Sequence, residues 1–324
     1  MTQNQTIGVR AEPYFPHIDI FKGIVILLVI VGHIVQNSFL GGGRDHQLYI
    51  WIYTFHMPAF FFCSGFLNRT DISDFATVRS YFVKKTCRIL IPYLTWGAIM
   101  FLYSQKQINL ASFFHYILLK PGYGLWFLQA LFKYFILSAI VMFLINKALW
   151  GGVKWGLMSA FFAICCLISI AGKISFLIDW NFVWFFLGMI AHQSSKVYDF
   201  FTNKLIATIF AVAFFASIYL KIPQQIVALT GMITILNISL IRFKKGKVLD
   251  WLICFGKNTM PIFLLHFFLL GKYKLNIPID NPVVVFCILM LISIVIALIC
   301  LATYRALSFG YLPTFLWGEK NDSQ

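Results

Sequence analysis

Ile18-Asp19-Ile20-Phe21-Lys22-Gly23-Ile24-Val25-Ile26-Leu27-Leu28-Val29-Ile30-Val31-Gly32-His33 is an apolar run with a carboxylate and an ammonium at its start and a histidine at its end. Its length and composition suit a membrane helix. Each helical residue turns about 100°, so His33, eleven residues beyond Lys22, returns almost to the face of Lys22. Asp19, Lys22, Ile26, Ile30 and His33 therefore share one stripe. The rise from Lys22 to His33 is about 16 Å. With Lys22 near a membrane surface, His33 lies about halfway across. An ionisable side chain at that depth is expensive unless it faces protein or a wet cavity, so His33 is a functional candidate.

The rest of the chain supports that setting. Of 324 residues, 60% are hydrophobic and only 11% charged, against roughly 25% charged in a soluble domain. The net charge of +15 does not point to nucleic acid, because the basic residues cluster at the ends of apolar runs, where they set topology and meet anionic lipid. The seven cysteines sit mostly inside apolar runs with no metal-ligand spacing, and no metal is expected. The first run lacks a small-residue cleavage site, so it reads as a retained helix rather than a signal peptide.

Ten apolar spans are expected, at about 20–38, 49–67, 88–104, 124–145, 155–171, 176–192, 205–220, 224–241, 259–271 and 282–304. The fold class is all-α integral membrane, with about ten transmembrane helices around a central cavity. Most of the 26 basic residues fall on the side shared by both termini, which places the N- and C-termini in the cytoplasm. The organisation is then a cytoplasmic tail over 1–19, a polytopic membrane domain over 20–304 and a second cytoplasmic tail over 305–324, in a multi-pass protein of the inner (cytoplasmic) membrane. No internal repeat is visible.

Several constellations carry polar chemistry into this apolar chain. Gly41-Gly42-Gly43-Arg44-Asp45-His46 has no strand or Lys-Ser/Thr ending, so it is a turn on the outer side rather than a phosphate loop, placed where it can line an acceptor site. In the second span His56 precedes Pro58, which kinks a helix by removing a donor. His56 either caps that bend or faces His33 across a cavity. Ser64 and Gly65 suit close helix packing. Lys84, Lys85 and Arg88 share one side of a helix and, with Lys22, can form a cationic pocket for phosphates. Lys133 is embedded and needs a partner or water. Asp179 either caps the sixth span or binds a polar acceptor. His266, on a helix opened by Asn258 and Pro261, is either structural or functional.

These residues form an ordered set. Lys22-Gly23 to His33 is followed by Phe55-His56-Met57-Pro58-Ala59-Phe60-Phe61-Phe62-Cys63-Ser64-Gly65-Phe66 and Arg88-Ile89-Leu90-Ile91-Pro92-Tyr93. Leu125-Trp126-Phe127-Leu128 and Asn258-Thr259-Met260-Pro261-Ile262-Phe263-Leu264-Leu265-His266 complete it. In that order the chain resembles acyltransferase family 3, the integral membrane O-acyltransferases, and especially its fucose 4-O-acetylase-like branch. Lys22 stands where many members carry arginine, which keeps the charge but loses a bidentate fork.

The resemblance implies transfer of an acetyl (acyl) group from acetyl-CoA, as co-substrate, to a hydroxyl of a cell-surface glycan. Acceptors would be O-antigen, capsule, exopolysaccharide or a lipid-linked precursor. A sugar hydroxyl is a poor nucleophile, and a neutral imidazole can take its proton. His33 is the expected base, with His56 as a second catalytic candidate. Lys22, Lys85 and Arg88 would hold the CoA phosphates, while the pantetheine arm runs along the first helix. Acyl-CoA, the glycan acceptor and membrane lipid are the expected partners, with no nucleic acid. An acyl-histidine route stays open. The competing class is a polytopic transporter or glycan translocase without chemistry, which embedded His and Lys also fit.

Overall fold

The computed structural model describes residues 14–39, 42–68, 71–104, 109–148, 153–172, 178–217, 220, 222–241, 246–270, 275–277, 281–309 and 312–319. Among the basic residues that set the expected orientation, Arg10, Arg69, Lys106, Lys173, Lys221, Arg242, Lys244, Lys245, Lys272, Lys274 and Lys320 lie outside the described residues, as does Gly41. The described chain is all-helical, with one isolated bridge pairing Phe39 and Leu275.

The helices follow the apolar runs. In order they are α1 (Pro16–Asn37), α2 (Gln47–Phe66), α3 (Phe75–Lys85), a π-helical segment (Thr86–Leu90), α4 (Ile91–Ser104), α5 (Leu110–Leu118), α6 (Trp126–Ala148) and α7 (Val153–Ala171). They continue as α8 (Trp180–Gln193), α9 (Ser195–Thr202), α10 (Lys204–Ala216), α11 (Gln224–Leu240), α12 (Lys247–Lys257), α13 (Thr259–Leu269), α14 (Pro282–Leu307) and α15 (Leu312–Trp317).

Each of the ten expected spans falls on a helix, but the helices differ in reach. Among the described residues four are long and apolar enough to cross a membrane: Pro16–Asn37, Phe75–Ser104, Trp126–Asn146 and Pro282–Leu307. The number rises to six if each of two bent pairs is one span. The bends have local causes. At the 56° bend between α9 and α10, the Asn203 side chain accepts from the Leu205 and Ile206 N–H groups and so starts a new helix. At the 87° bend between α12 and α13, Asn258 donates back to the Cys254 carbonyl at 2.8 Å. Pro261 then lies in the first turn of α13, where its missing donor is tolerated.

Helix α1 is the axis of the bundle. Pro16 opens it, and Asp19 lies in its positively polarised first turn. Its most apolar stretch is 83% buried, whereas that of α14 is 22% buried. Since α14 is the more apolar of the two, with a mean hydropathy of 3.4 against 2.4, its exposed side is one that lipid would cover. Two glycine crossings fix the centre. Gly23 on α1 abuts the Leu252 backbone on α12, and Gly256 on α12 abuts the Asp19 backbone on α1. Likewise Gly65 on α2 meets Phe185, and Gly188 on α8 meets Phe62. A methyl group at any of the four would strike backbone, so these helices approach as only small residues allow. The packing role expected for Gly65 is what the structure shows.

The C-terminal segment folds back on the bundle. Trp96 of α4 donates from Nε1 to the Leu316 carbonyl at 2.8 Å, and its ring lies 5.5 Å from that of Trp317.

Candidate active site

Three helices deliver histidines to one place. His33 occupies the last turns of α1, His56 the middle of α2, and His266 the last turn of α13. The His33 and His266 rings are 5.2 Å apart. Tyr53, one turn before His56 on α2, stands between the other two: its ring is 4.6 Å from His56 and 5.4 Å from His33. Its hydroxyl is 2.6 Å from His33 Nδ1 and 3.2 Å from Nε2.

Hydrogen bonds fix the tautomers of the outlying pair. His56 Nδ1 is 2.9 Å from the Ile52 carbonyl, and His266 Nδ1 is 3.2 Å from the Ile262 carbonyl. A carbonyl only accepts, so both rings carry a proton on Nδ1, and in the neutral ring Nε2 holds the lone pair. Both side chains are buried, and His266 Nε2 has no partner among the described residues. Of the two readings the geometry supports the second: His56 lines the cavity that holds His33. Its Nδ1 contact is to the Ile52 carbonyl rather than to that of Thr54, the one Pro58 leaves without a helical donor.

That cavity measures about 730 Å³. His33, Gln36, Asn37, Arg44, Tyr53 and His56 give it a polar side, and Tyr49, Tyr123, Trp126, Phe263 and Phe267 an aromatic one. Tyr123 and Gly124 both take positive φ, 51° and 76°. For tyrosine that conformation is uncommon and points to a position held by its surroundings. At Gly124 a side chain would also meet Phe267 and Phe263, so glycine lets the turn close over the cavity.

A directed hydrogen-bond chain leads to His33. The Gln36 amide takes the orientation that satisfies both its ends. Its nitrogen donates to the Tyr53 hydroxyl at 3.0 Å, and its oxygen accepts from Arg44 Nε at 3.0 Å and Nη2 at 3.3 Å. The Tyr53 proton is then left for His33 Nδ1.

The cationic candidates lie elsewhere. Lys22 is ion-paired with Asp19 at 2.8 Å, both mostly buried. Lys85 Nζ sits 3.4 Å over the Phe135 ring on α6, while Lys84 and Arg88 are exposed. Between this end and the cavity the space is packed. Ile26 and Ile30 on the α1 stripe are fully buried. An unbroken aromatic series joins Phe263 to Phe127 (5.4 Å), Phe61 (4.9 Å), Tyr134 (5.2 Å), Phe185 (6.1 Å) and Phe135 (5.1 Å) beneath Lys85. The π segment also alters the helical spacing between Lys85 and Arg88, because Pro92 cannot donate to the Arg88 carbonyl one turn back.

Two other candidates have structural partners. Asp179 caps α8, accepting from the Phe182 N–H at 3.0 Å and the Tyr134 hydroxyl at 2.6 Å. Lys133 on α6 is half-buried within electrostatic reach of Asp179. Among the described residues no cluster of three or more His, Cys, Asp or Glu has the geometry to hold a metal ion.

Arg44 lines the cavity, in keeping with the acceptor-side place given to its loop, whereas nothing in the sequence marks Tyr53 as a site residue. Tyr53 sits in the aromatic run Trp51-Ile52-Tyr53-Thr54-Phe55, which looks like an interfacial belt. Its one-turn offset from His56 was the available signal.

The chain has recognisable relatives. It is similar to nodulation protein NolL of Sinorhizobium fredii (strain NBRC 101917 / NGR234), 27% identical over 183 residues, covering 54% of this chain and 48% of that protein. It is also similar to nodulation protein NolL of Mesorhizobium japonicum (strain LMG 29417 / CECT 9101 / MAFF 303099), 29% identical over 143 residues, covering 41% of this chain and 37% of that protein. The chain thus matches about half or less of the length of these curated relatives. No solved structure matches. The family model described as an acyltransferase domain matches residues 15–302. That span runs from the residue before Pro16 into α14 and holds every residue lining the cavity, and on it the chain belongs to acyltransferase family 3.

Proposed function

We propose that this protein is a membrane O-acetyltransferase of the cytoplasmic membrane. It moves an acetyl group from acetyl-CoA to a hydroxyl of a cell-envelope glycan or its lipid-linked precursor. The observation that carries this reading is His33. It is set in a polar cavity inside an apolar bundle, with the Tyr53 hydroxyl 2.6 Å from Nδ1. A packing role alone does not call for such an arrangement.

The chemistry follows from the contacts. The acceptor hydroxyl attacks the thioester carbonyl, a carbon–oxygen bond forms, and the carbon–sulfur bond breaks. As the hydroxyl proton passes to Tyr53, the Tyr53 proton passes to His33 Nδ1, the basic nitrogen of the pair. The departing CoA thiolate takes that proton from the imidazolium. The neutral His56 and His266 add no charge beside the imidazolium as it forms, and the aromatic wall shields the reaction from water. Lys22, Lys85 and Arg88 hold the CoA phosphates at the opposite end. An ammonium has three donors, so the Asp19 pair leaves Lys22 two for a phosphate. The packed aromatic series must part for the acyl arm to reach His33.

The test uses the purified full-length chain in nanodiscs with acetyl-CoA and a panel of glycan acceptors. Free CoA and acetylated glycan should appear together, and His33→Ala should reduce both by at least about a hundredfold while leaving the melting temperature in place. Transfer at the normal rate by His33→Ala would remove His33 from the mechanism. Glycan movement without CoA release would favour a translocase.

A further inference from the structure

Arg44 is the charged side chain in the cavity lining, among the described residues and leaving the histidines aside. It is exposed at the cavity mouth, and among the described residues it pairs with no carboxylate and the adjacent, exposed Asp45 forms no ion pair. Its guanidinium is partly engaged by the neutral Gln36 oxygen through Nε and Nη2, which leaves further donors and the full charge for a ligand.

The loop that carries Arg44 is pinned on both sides. Before it, the Ser38 carbonyl accepts from the Leu275 N–H at 2.7 Å, and the Gly42 N–H donates to the Phe39 carbonyl at 3.1 Å. After it, His46 Nδ1 accepts from the Leu48 N–H at 3.2 Å and caps α2, with its ring 5.9 Å from Phe39. The cation is thereby held at a defined place relative to His33. Three hydrogen bonds, each about 3 Å, separate the two through Gln36 and Tyr53. That distance falls within the length of a disaccharide.

We propose that the cavity mouth is an oxyanion subsite built on Arg44 and Gln36, and that the acceptor is an anionic glycan. Its carboxylate or phosphate lies within a disaccharide's length of the acylated hydroxyl. The inference rests on the acyl-transfer reading of the cavity. A guanidinium presents two parallel N–H groups to either oxyanion. A uronic acid supplies a carboxylate, and a lipid-linked sugar supplies a phosphate at the membrane surface. In both cases the anion docks at the mouth, and the neutral sugar ring extends inward along the aromatic side toward Tyr53 and His33.

Binding and turnover separate this inference from the reading beneath it. Purified full-length protein in nanodiscs is titrated with a neutral methyl fucoside, a methyl uronoside and a hexose 1-phosphate, following the fluorescence of the tryptophans, of which Trp126 lines the cavity. Acetyl transfer to the same three sugars is measured in parallel. At least one anionic sugar should bind tenfold or more tighter than the fucoside. Arg44→Gln should collapse that ratio to within threefold, and Arg44→Lys should restore part of it. The sugar with the larger ratio identifies the oxyanion as carboxylate or phosphate. Equal binding of all three sugars, or a ratio indifferent to Arg44→Gln, overturns the subsite. Anion-selective binding without transfer to any sugar would strike the acyl-transfer reading and leave the subsite standing.

Discussion

Tyr53→Phe removes one oxygen and keeps the ring stacked on Tyr49 at 3.8 Å. The lost hydroxyl is the group 2.6 Å from His33 Nδ1 and the acceptor of the Gln36 amide. Two roles predict different losses. If Tyr53 only holds the imidazole in place, the loss is one neutral hydrogen bond, about 0.5–1.5 kcal/mol. At 1.36 kcal/mol per decade that is about tenfold at most. If the acceptor proton travels through Tyr53, the variant forfeits proton transfer to a positioned base, typically worth about 10²–10⁴ in rate. The expected result is a fall in kcat of at least about a hundredfold with KM for the glycan within threefold. The double variant with His33→Ala should be no slower than His33→Ala alone, because the two residues act as one unit. The assay is CoA release by a thiol reagent on nanodisc protein, with the melting temperature confirming the fold. A kcat loss under tenfold refutes the relay and leaves Tyr53 as a prop for the ring.

Lys22→Met strands Asp19, which is 8% exposed, and should cost about 3 kcal/mol of stability, the low end for breaking a buried pair. The same variant should raise KM for acetyl-CoA; adding Asp19→Asn should restore the melting temperature but not that KM, and full recovery of both would make Lys22 structural only. Lys85→Met with Arg88→Gln should raise KM for acetyl-CoA about tenfold or more and leave glycan affinity unchanged, as read by initial rates against each substrate. A rise in glycan KM instead would put the donor at the other end of the molecule. Gly188→Val drives a branched side chain into the Phe62 backbone and should destabilise by about 1–3 kcal/mol, seen as a lower melting temperature in detergent. An unchanged value would mean that α2 and α8 part more easily than their crossing implies.

Much of this was legible in the chain. The apolar runs located the helices because burial in lipid or protein leaves a strong compositional trace. His33 stood out because it is polar where everything beside it is apolar. Asp179 announced its cap by preceding Trp180-Asn181-Phe182, and Gly65 its crossing by lying among phenylalanines. What stayed hidden depended on contacts between distant segments. The Tyr53 hydroxyl matters only because α1 places His33 beside α2. Arg44 gains meaning only once Gln36 is seen to face it. The Lys84-Lys85-Arg88 spacing shares a face only under α-helical geometry, whereas Thr86–Leu90 is a π turn imposed around Pro92. Helices such as α8, with 14 residues, are shorter than the apolar runs that located them, because apolar composition does not set where a helix starts.

The aromatic series from Phe263 to Phe135 has a consequence for the cell. A membrane that stores energy as an ion gradient tolerates no standing water path from one side to the other. Here the polar cavity at the Arg44 end and the cations at the Lys85 end are separated by packed rings, among which the Tyr134 hydroxyl is turned aside onto Asp179. In the proposed cytoplasmic membrane the layer would serve as electrical insulation, and opening it by trimming a ring, as in Phe127→Ala, would tax the membrane's voltage before it touched the chemistry.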